Sequence, residues 1–429
     1  MSSTKFDFSP GSKNWIAKFF DLLDKGIFDL DDELIHQKEE NLTHFISHQT
    51  GLIYGTAKSF IFSNAQEKQK FNTDEQLQLL LFETLLFTYV RKQQDKVRSE
   101  AFIEALIDFY QGYTALGLKA KISRKLTNNP IRKIEILLAS RVGVKSSFLG
   151  ANYWLKHLSN AFIFLDVILF RAYLEGDKTP FSTNYERYAS SVLNGLIYAA
   201  LIDGKVEHKE QQILLHFKAS AALPPRLDKM YRERIQIGIP LKVLQQERID
   251  NPLLAQITYE FGYLLLSSTH LINREEKQKL QDLGKVLNIS EAQMLISEEM
   301  SMAFIAQSGP DELLIYKQST EAGFAYKETS KRWLRIIGRN RDRLVTEIRE
   351  SKELMALLQK STKEDLSPEE KEQVKKQFYD ILKSMPSLAL FLLPGGSLLL
   401  PIVMKLVPEL IPSAFKINEV EKKTTEDEL

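Results

Sequence analysis

The chain has 429 residues, 44% hydrophobic and 10% aromatic, enough for two or three packed cores and too apolar for a disordered polymer. Fifty-seven Lys and Arg face 56 Asp and Glu, a net charge of +1, so no global field draws the protein to nucleic acid and no DNA partner is expected. The absence of cysteine excludes disulfides, thiolate metal sites and cysteine nucleophiles.

The N-terminus, MSSTKFDFSPGSKNWIAKFFDLLDKG, lacks the basic stretch and apolar core of a signal peptide; Ile16, Phe19, Phe20, Leu22 and Leu23 instead recur at helical spacing. The bulk of the chain is therefore expected in the cytoplasm. Next, THFISHQ places His44 and His48 on one helix face at the i,i+4 spacing of zinc-binding helices. The glutamate of His-Glu-x-x-His is missing and no third ligand is evident nearby, so two solvated or hydrogen-bonded histidines are expected.

Apolar residues recur every three or four positions in LQLLLFETLLFTYV, AFIEALIDFYQGY and ANYWLKHLSNAFIFLDVILFRAYL, without sustained strand-like alternation. The expected fold class is all-α: multi-helix bundles followed by a C-terminal apolar helical segment broken by Pro and Gly. Turn formers cluster at LTNNPIR (126–132), EGDKTPFSTN (175–184) and QSGPDE (307–312). The regions expected are an N-terminal helical one over 1–185, a tandem over 186–305, a charged helical one over 306–384, an apolar segment over 385–415 and a polar tail over 416–429.

The tandem rests on an internal repeat. GLIYAALIDGKVEHKEQQILLHFKASAAL is echoed 66 positions later by YEFGYLLLSSTHLINREEKQKLQDLGKVL, with Val206, Glu210 and Leu214 matching Ile272, Glu276 and Leu280. Each copy reads as helix, polar turn, helix, and two copies can stack into one bundle. The pattern resembles the TerB-like helical domain, whose Asp-Gly-x-apolar-x-x-x-Glu turn survives here in the first copy as Asp203, Gly204, Val206 and Glu210. An EF-hand is excluded, because Ala199 and Leu201 stand where its first side-chain oxygens would be. By analogy with the acidic surface of TerB-like domains, Asp203, Glu207 and Glu210 form a candidate weak metal site; the alternative is a helix N-terminus attracting carboxylates.

No phosphate-binding glycine loop and no G-x-S-x-G occurs, so no enzyme activity and no cofactor are expected. In KRWLRIIGRNRDRL, Arg332, Arg335, Arg339 and Arg343 follow helical steps of three and four, making a basic stripe suited to lipid headgroups or RNA phosphate. The alternative is a solvated face paired with Glu347, Glu350 and Glu353.

From Ser384 to Met404 no residue is charged. As a helix this stretch would reach about 31 Å, close to a bilayer's hydrocarbon thickness. Pro394, Gly395 and Gly396 break it at the centre, leaving a kinked span, a re-entrant hairpin or a buried soluble hairpin.

LSPEEKEQVKKQFYDILKSMPSLALFLLPGGSLLLPIVMKLVPELIPSAF, residues 366–415, resembles the membrane-proximal core of the Letm-like family. That family includes the leucine-zipper and EF-hand-containing transmembrane protein of mitochondria and the bacterial Letm-related biofilm-associated proteins. The resemblance rests on a proline frame ending in L-L-P-x-x-x-K-L-x-P-x-x-x-P-S-x-F. It assigns Pro394, Gly395, Gly396, Ser397, Pro401, Lys405 and Pro408 to a membrane turn, and implies membrane lipids and the ribosome as partners and a link to cation homeostasis. Ser397 stands where mitochondrial members carry an acid, which counts against transport by this chain. Little chain follows Phe415, so the large downstream region associated with ribosome binding is expected to be absent. The expected location is the cytoplasmic (inner) membrane, and the expected work that of a non-enzymatic scaffold or regulator. A homo-oligomeric cation–proton exchanger and a soluble helical adaptor stay open as alternatives.

Overall fold

A computed structural model describes residues 8–28, 42–63, 71–93, 98–113, 127–143, 158, 160–202, 205–206, 208–247, 250–267, 271–307, 328, 332, 346–361, 364, 366–367, 369–370, 373–374, 377 and 381. The chain is all-α and divides into two compact units, Met1–Ser330 and Lys331–Leu429.

The first unit opens with α1 (Trp15–Asp24), α2 (Leu42–Thr50), a 3₁₀ turn (Leu52–Tyr54), α3 (Thr73–Gln93), α4 (Ser99–Phe109), α5 (Pro130–Val142), a second 3₁₀ turn (Ala161–Ile163) and α6 (Phe164–Leu174). Helix α3 is the centre: every residue from Leu77 to Val90 is buried, because LQLLLFETLLFTYV is apolar around its whole circumference. Asp74 and Glu75 in its first turn and Arg91 and Lys92 in its last complement the helix dipole. Trp15 and Phe19 of α1 meet Phe82 of α3 edge-on, each with ring centroids 5.1 Å apart. The break at 126–132 ends where Asn129 caps α5, accepting from Arg132 N at 3.1 Å, with Pro130 in the first helical position.

The repeat follows. Helix α7 (Phe181–Ala200) runs into an antiparallel pair of two-residue strands, β1 (Leu201–Ile202) and β2 (Lys205–Val206), registered Leu201 to Val206 and Ile202 to Lys205. Then come α8 (His208–Ala221), α9 (Pro225–Ile237), the short α10 (Leu241–Gln246), α11 (Pro252–Ser267), α12 (Arg274–Val286) and α13 (Glu291–Gln307). Helix α12 begins 66 residues after α8, Arg274 against His208, and α13 begins 66 after α9, Glu291 against Pro225. The sequence offset is thus an offset in structure, extended to a third helix in each copy. Its shared glutamate has a local reason. Glu276 is the third residue of α12, where its Oε2 accepts from Asn273 N at 2.7 Å while Asn273 Oδ1 accepts from Glu276 N at 3.0 Å, a capping box. Glu210 holds the same place in α8. Helices α7 and α11 pack closely through small residues, with Gly195 against Thr258 and Gly262 within reach of Ala199.

In the second unit, α14 (Lys352–Ser361) pairs with described helical residues among 369–370, 373–374 and 377. Ser367 Oγ accepts from Glu370 N at 3.2 Å and Glu370 Oε2 from Ser367 N at 3.0 Å, the reciprocal pair of a capping box. Lys360 reaches Glu370 at 2.6 Å, and Gln377 joins Ser351 at 2.8 Å and Glu353 at 2.6 Å. These pairings run in opposite chain directions, so the described residues 367–377 lie antiparallel to α14. Ile348, Leu354, Leu357, Leu358, Leu366 and Val374 are buried.

Candidate functional site

Helix α2 has the sequence LTHFISHQT, and its 3.6-residue turn stacks His44 and His48 on one face. Helix α11 brings Glu260 to the same place from 216 positions along the chain. His44 Nε2 lies 3.1 Å from Glu260 Oε1, His48 Nε2 lies 3.0 Å from Glu260 Oε2, and the two Nε2 atoms are 3.2 Å apart. All three side chains are buried, none more than 3% exposed. The histidines are hydrogen-bonded rather than solvated, and Glu260 supplies the third ligand-type group, which nothing in the sequence around the histidines announces.

The 3₁₀ turn closes one side. Gly51 (φ +85°) and Gly55 (φ +69°) adopt left-handed backbone, the second close against the Asn160 main chain, and the turn between them delivers the Tyr54 hydroxyl to His48 Nδ1 at 3.0 Å. Phe304 of α13 stacks on the Tyr54 ring, centroids 3.7 Å apart. The site therefore joins the N-terminal helices to the second copy of the repeat within the first unit.

Burial pushes the Glu260 carboxyl upward, but the His48 and His44 rings beside it outweigh this and hold it at about 2. Burial lowers His48, against the attraction of Glu260 and with a further lowering from His44. Burial, then Glu260, raises Tyr54 well above the usual phenol range. The cluster is a carboxylate facing two imidazole nitrogens in a buried position, a set of groups suited to hold a proton or a cation.

Of the residues singled out from sequence, Arg332 is exposed, while Arg335, Arg339 and Arg343 lie outside the described residues. Glu210 is buried in the first turn of α8; Asp203 and Glu207 lie outside the described residues. So do Pro394, Gly395, Gly396, Ser397, Pro401, Lys405 and Pro408. Among the described residues no helix is long and apolar enough to cross a membrane. Glu260 had a signal of its own: it is the sole charged residue of α11, PLLAQITYEFGYLLLS, and an acid inside a helix apolar on every side must be buried and partnered.

Residues 366–429 match a family model described as LETM1-like, RBD, where RBD denotes a ribosome-binding domain. The C-terminal part of the chain is Letm-like. The Letm-like segment starts at Leu366, immediately before the Ser367–Glu370 capping box, so Glu370 and Gln377, which pair with α14, belong to it. No curated protein and no solved structure matches the chain.

Proposed function

We propose that the protein is a non-enzymatic scaffold that holds its Letm-like segment at the cytoplasmic membrane and meets the ribosome there. The observation that carries this reading is the match of residues 366–429 to a family model named for ribosome binding. Two sequence features support it. The uncharged run Ser384–Met404 within the match has the length of a membrane element. The stripe Arg332, Arg335, Arg339 and Arg343 precedes it and supplies cations for RNA phosphate or anionic headgroups. A link to cation homeostasis follows as that of a regulator: the uncharged run carries Ser397 where the resembled mitochondrial members carry an acid, the residue type that ion pathways use.

Fractionation tests the membrane part. The full chain is expected to sediment with membranes, to resist a carbonate wash and to dissolve in detergent. Release by carbonate alone contradicts it. Reconstitution into liposomes tests the role: proton-coupled potassium or calcium flux would replace the scaffold by an exchanger.

A further inference from the structure

We infer that His44, His48 and Glu260 bind one divalent transition-metal ion of the zinc class. This site is independent of the ribosome and membrane reading and lies in the first unit.

The first ground is shape. His44 Nε2 stands 3.1 Å from Glu260 Oε1, His48 Nε2 3.0 Å from Glu260 Oε2 and the two Nε2 atoms 3.2 Å apart, so that one ligand atom from each residue lies within 4.8 Å of the other two. Ligands held tetrahedrally at metal–ligand distances of about 2.0–2.1 Å are separated by roughly 3.3 Å. The nitrogen–nitrogen separation is close to that value, and each nitrogen already lies at a similar distance from one oxygen of the carboxylate, so a zinc-sized ion can be held by the two imidazoles and the Glu260 carboxylate with small side-chain shifts.

The second ground is hydrogen bonding. Two Nε2 atoms 3.2 Å apart can share only one proton between them, and two protonated nitrogens at that distance would repel. His48 Nε2 comes to 3.0 Å of Glu260 Oε2 without the alignment of a hydrogen bond, and this fully buried oxygen accepts none among the described residues. Buried acceptors without donors are costly, and a cation gives these lone pairs one common partner. With both Nε2 atoms bound to metal, His48 carries its proton on Nδ1 and donates it to the Tyr54 hydroxyl at 3.0 Å, the outer contact that fixes a ligand imidazole.

The donor set selects the ion. Two imidazoles and one carboxylate suit zinc and its late first-row neighbours, whereas calcium and magnesium require about six oxygens. The chemistry is structural or regulatory. Phe45 stands where the zinc-protease helix carries its general-base glutamate, and the ligands are buried. A bound ion would fasten α2 to α11 and make the stability of the first unit depend on metal supply.

The test uses the full chain, purified from cells grown with added zinc, and reads metal content together with zinc-edge X-ray absorption. One equivalent of zinc is expected, with two imidazoles at about 2.0–2.1 Å. Removal by a chelator should lower Tm, and Zn²⁺ or Co²⁺ should restore it. His48→Gln and Glu260→Gln should each lose the equivalent. Less than a tenth of an equivalent in the unaltered chain overturns the inference, as does bound zinc without imidazole ligands. Unchanged stoichiometry in both variants overturns it too. Where a variant fails to fold, the absorption spectrum of the unaltered chain decides alone.

Discussion

The guanidinium of Arg141 on α5 and the carboxylate of Asp166 on α6 face each other through two hydrogen bonds, Nε to Oδ2 at 2.8 Å and Nη2 to Oδ1 at 2.6 Å, with both side chains buried. Tyr110 donates to the same carboxylate at 2.8 Å. The rings of Tyr113, Phe181 and Tyr185 lie 5.1, 5.4 and 4.6 Å from the guanidinium carbon. Burial alone would lower the guanidinium pKa, but Asp166 and then Tyr185 and Tyr113 raise it well above its ordinary value.

Removing one partner leaves the other charged and dry. Asp166→Ala is expected to cost about 3–5 kcal/mol in urea unfolding. Arg232→Ala, which breaks the exposed Arg232–Asp228 pair at 3.0 Å, is expected to cost less than about 1 kcal/mol. Similar losses for the two variants would contradict this.

A second buried acid sets a pH dependence. Burial raises the Glu83 carboxyl from 4.5 to about 7, against the pull of Ser63 Oγ and the backbone N–H groups of Ile61, Phe62 and Ser63 that donate to it. The folded chain holds this proton more tightly than the unfolded chain. The contribution therefore favours the fold below the unfolded pKa and is lost as pH rises from about 4.5 to about 7. Its size is on the order of 3 kcal/mol. Urea midpoints across that window should fall for the unaltered chain and fall less for Glu83→Gln. Parallel slopes would remove Glu83 as the titrating group.

A third prediction runs against helix propensity. Gly195 sits inside α7, where alanine is ordinarily better by about 1 kcal/mol. A methyl there would land on the Thr258 methyl of α11. Thr258 has little room to turn, because it is buried, β-branched and bonded through Oγ1 to Leu254 O at 2.7 Å. Gly195→Ala is therefore expected to destabilise the first unit by about 1–3 kcal/mol, read as a lower urea midpoint. A rise in the midpoint would mean that the two helices separate freely.

Much of this architecture is legible in the sequence because it is local. The 66-residue offset gives the helix starts of both repeat copies, and the breaks at 126–132, 175–184 and 307–312 fall at helix ends, since caps and turns depend on neighbouring residues. The His44–His48 spacing is equally local. Glu260 is not, because a side-chain pairing across 216 residues has no period or spacing to betray it. What the sequence does offer is the lone acid. Glu83, Asp166 and Glu260 each sit in an apolar helical run, and each is wholly buried. The partners differ, being backbone N–H groups for Glu83, an arginine for Asp166 and histidines for Glu260. Such an acid announces a partner without naming it. The apolar end is the reverse case: its proline frame identifies it from sequence, and residues 382–429 lie outside the described residues.

The measurement that tests the central claim most directly is pelleting with purified ribosomes at low and rising salt, comparing the full chain with one ending at residue 365, which lacks the Letm-like match. The full chain is expected to pellet at low salt and to be released as salt rises, with log K falling linearly in log salt. The shortened chain is expected to stay in the supernatant. Equal pelleting of both chains, or none by the full chain at the lowest salt, would contradict a ribosome-binding role for the Letm-like segment.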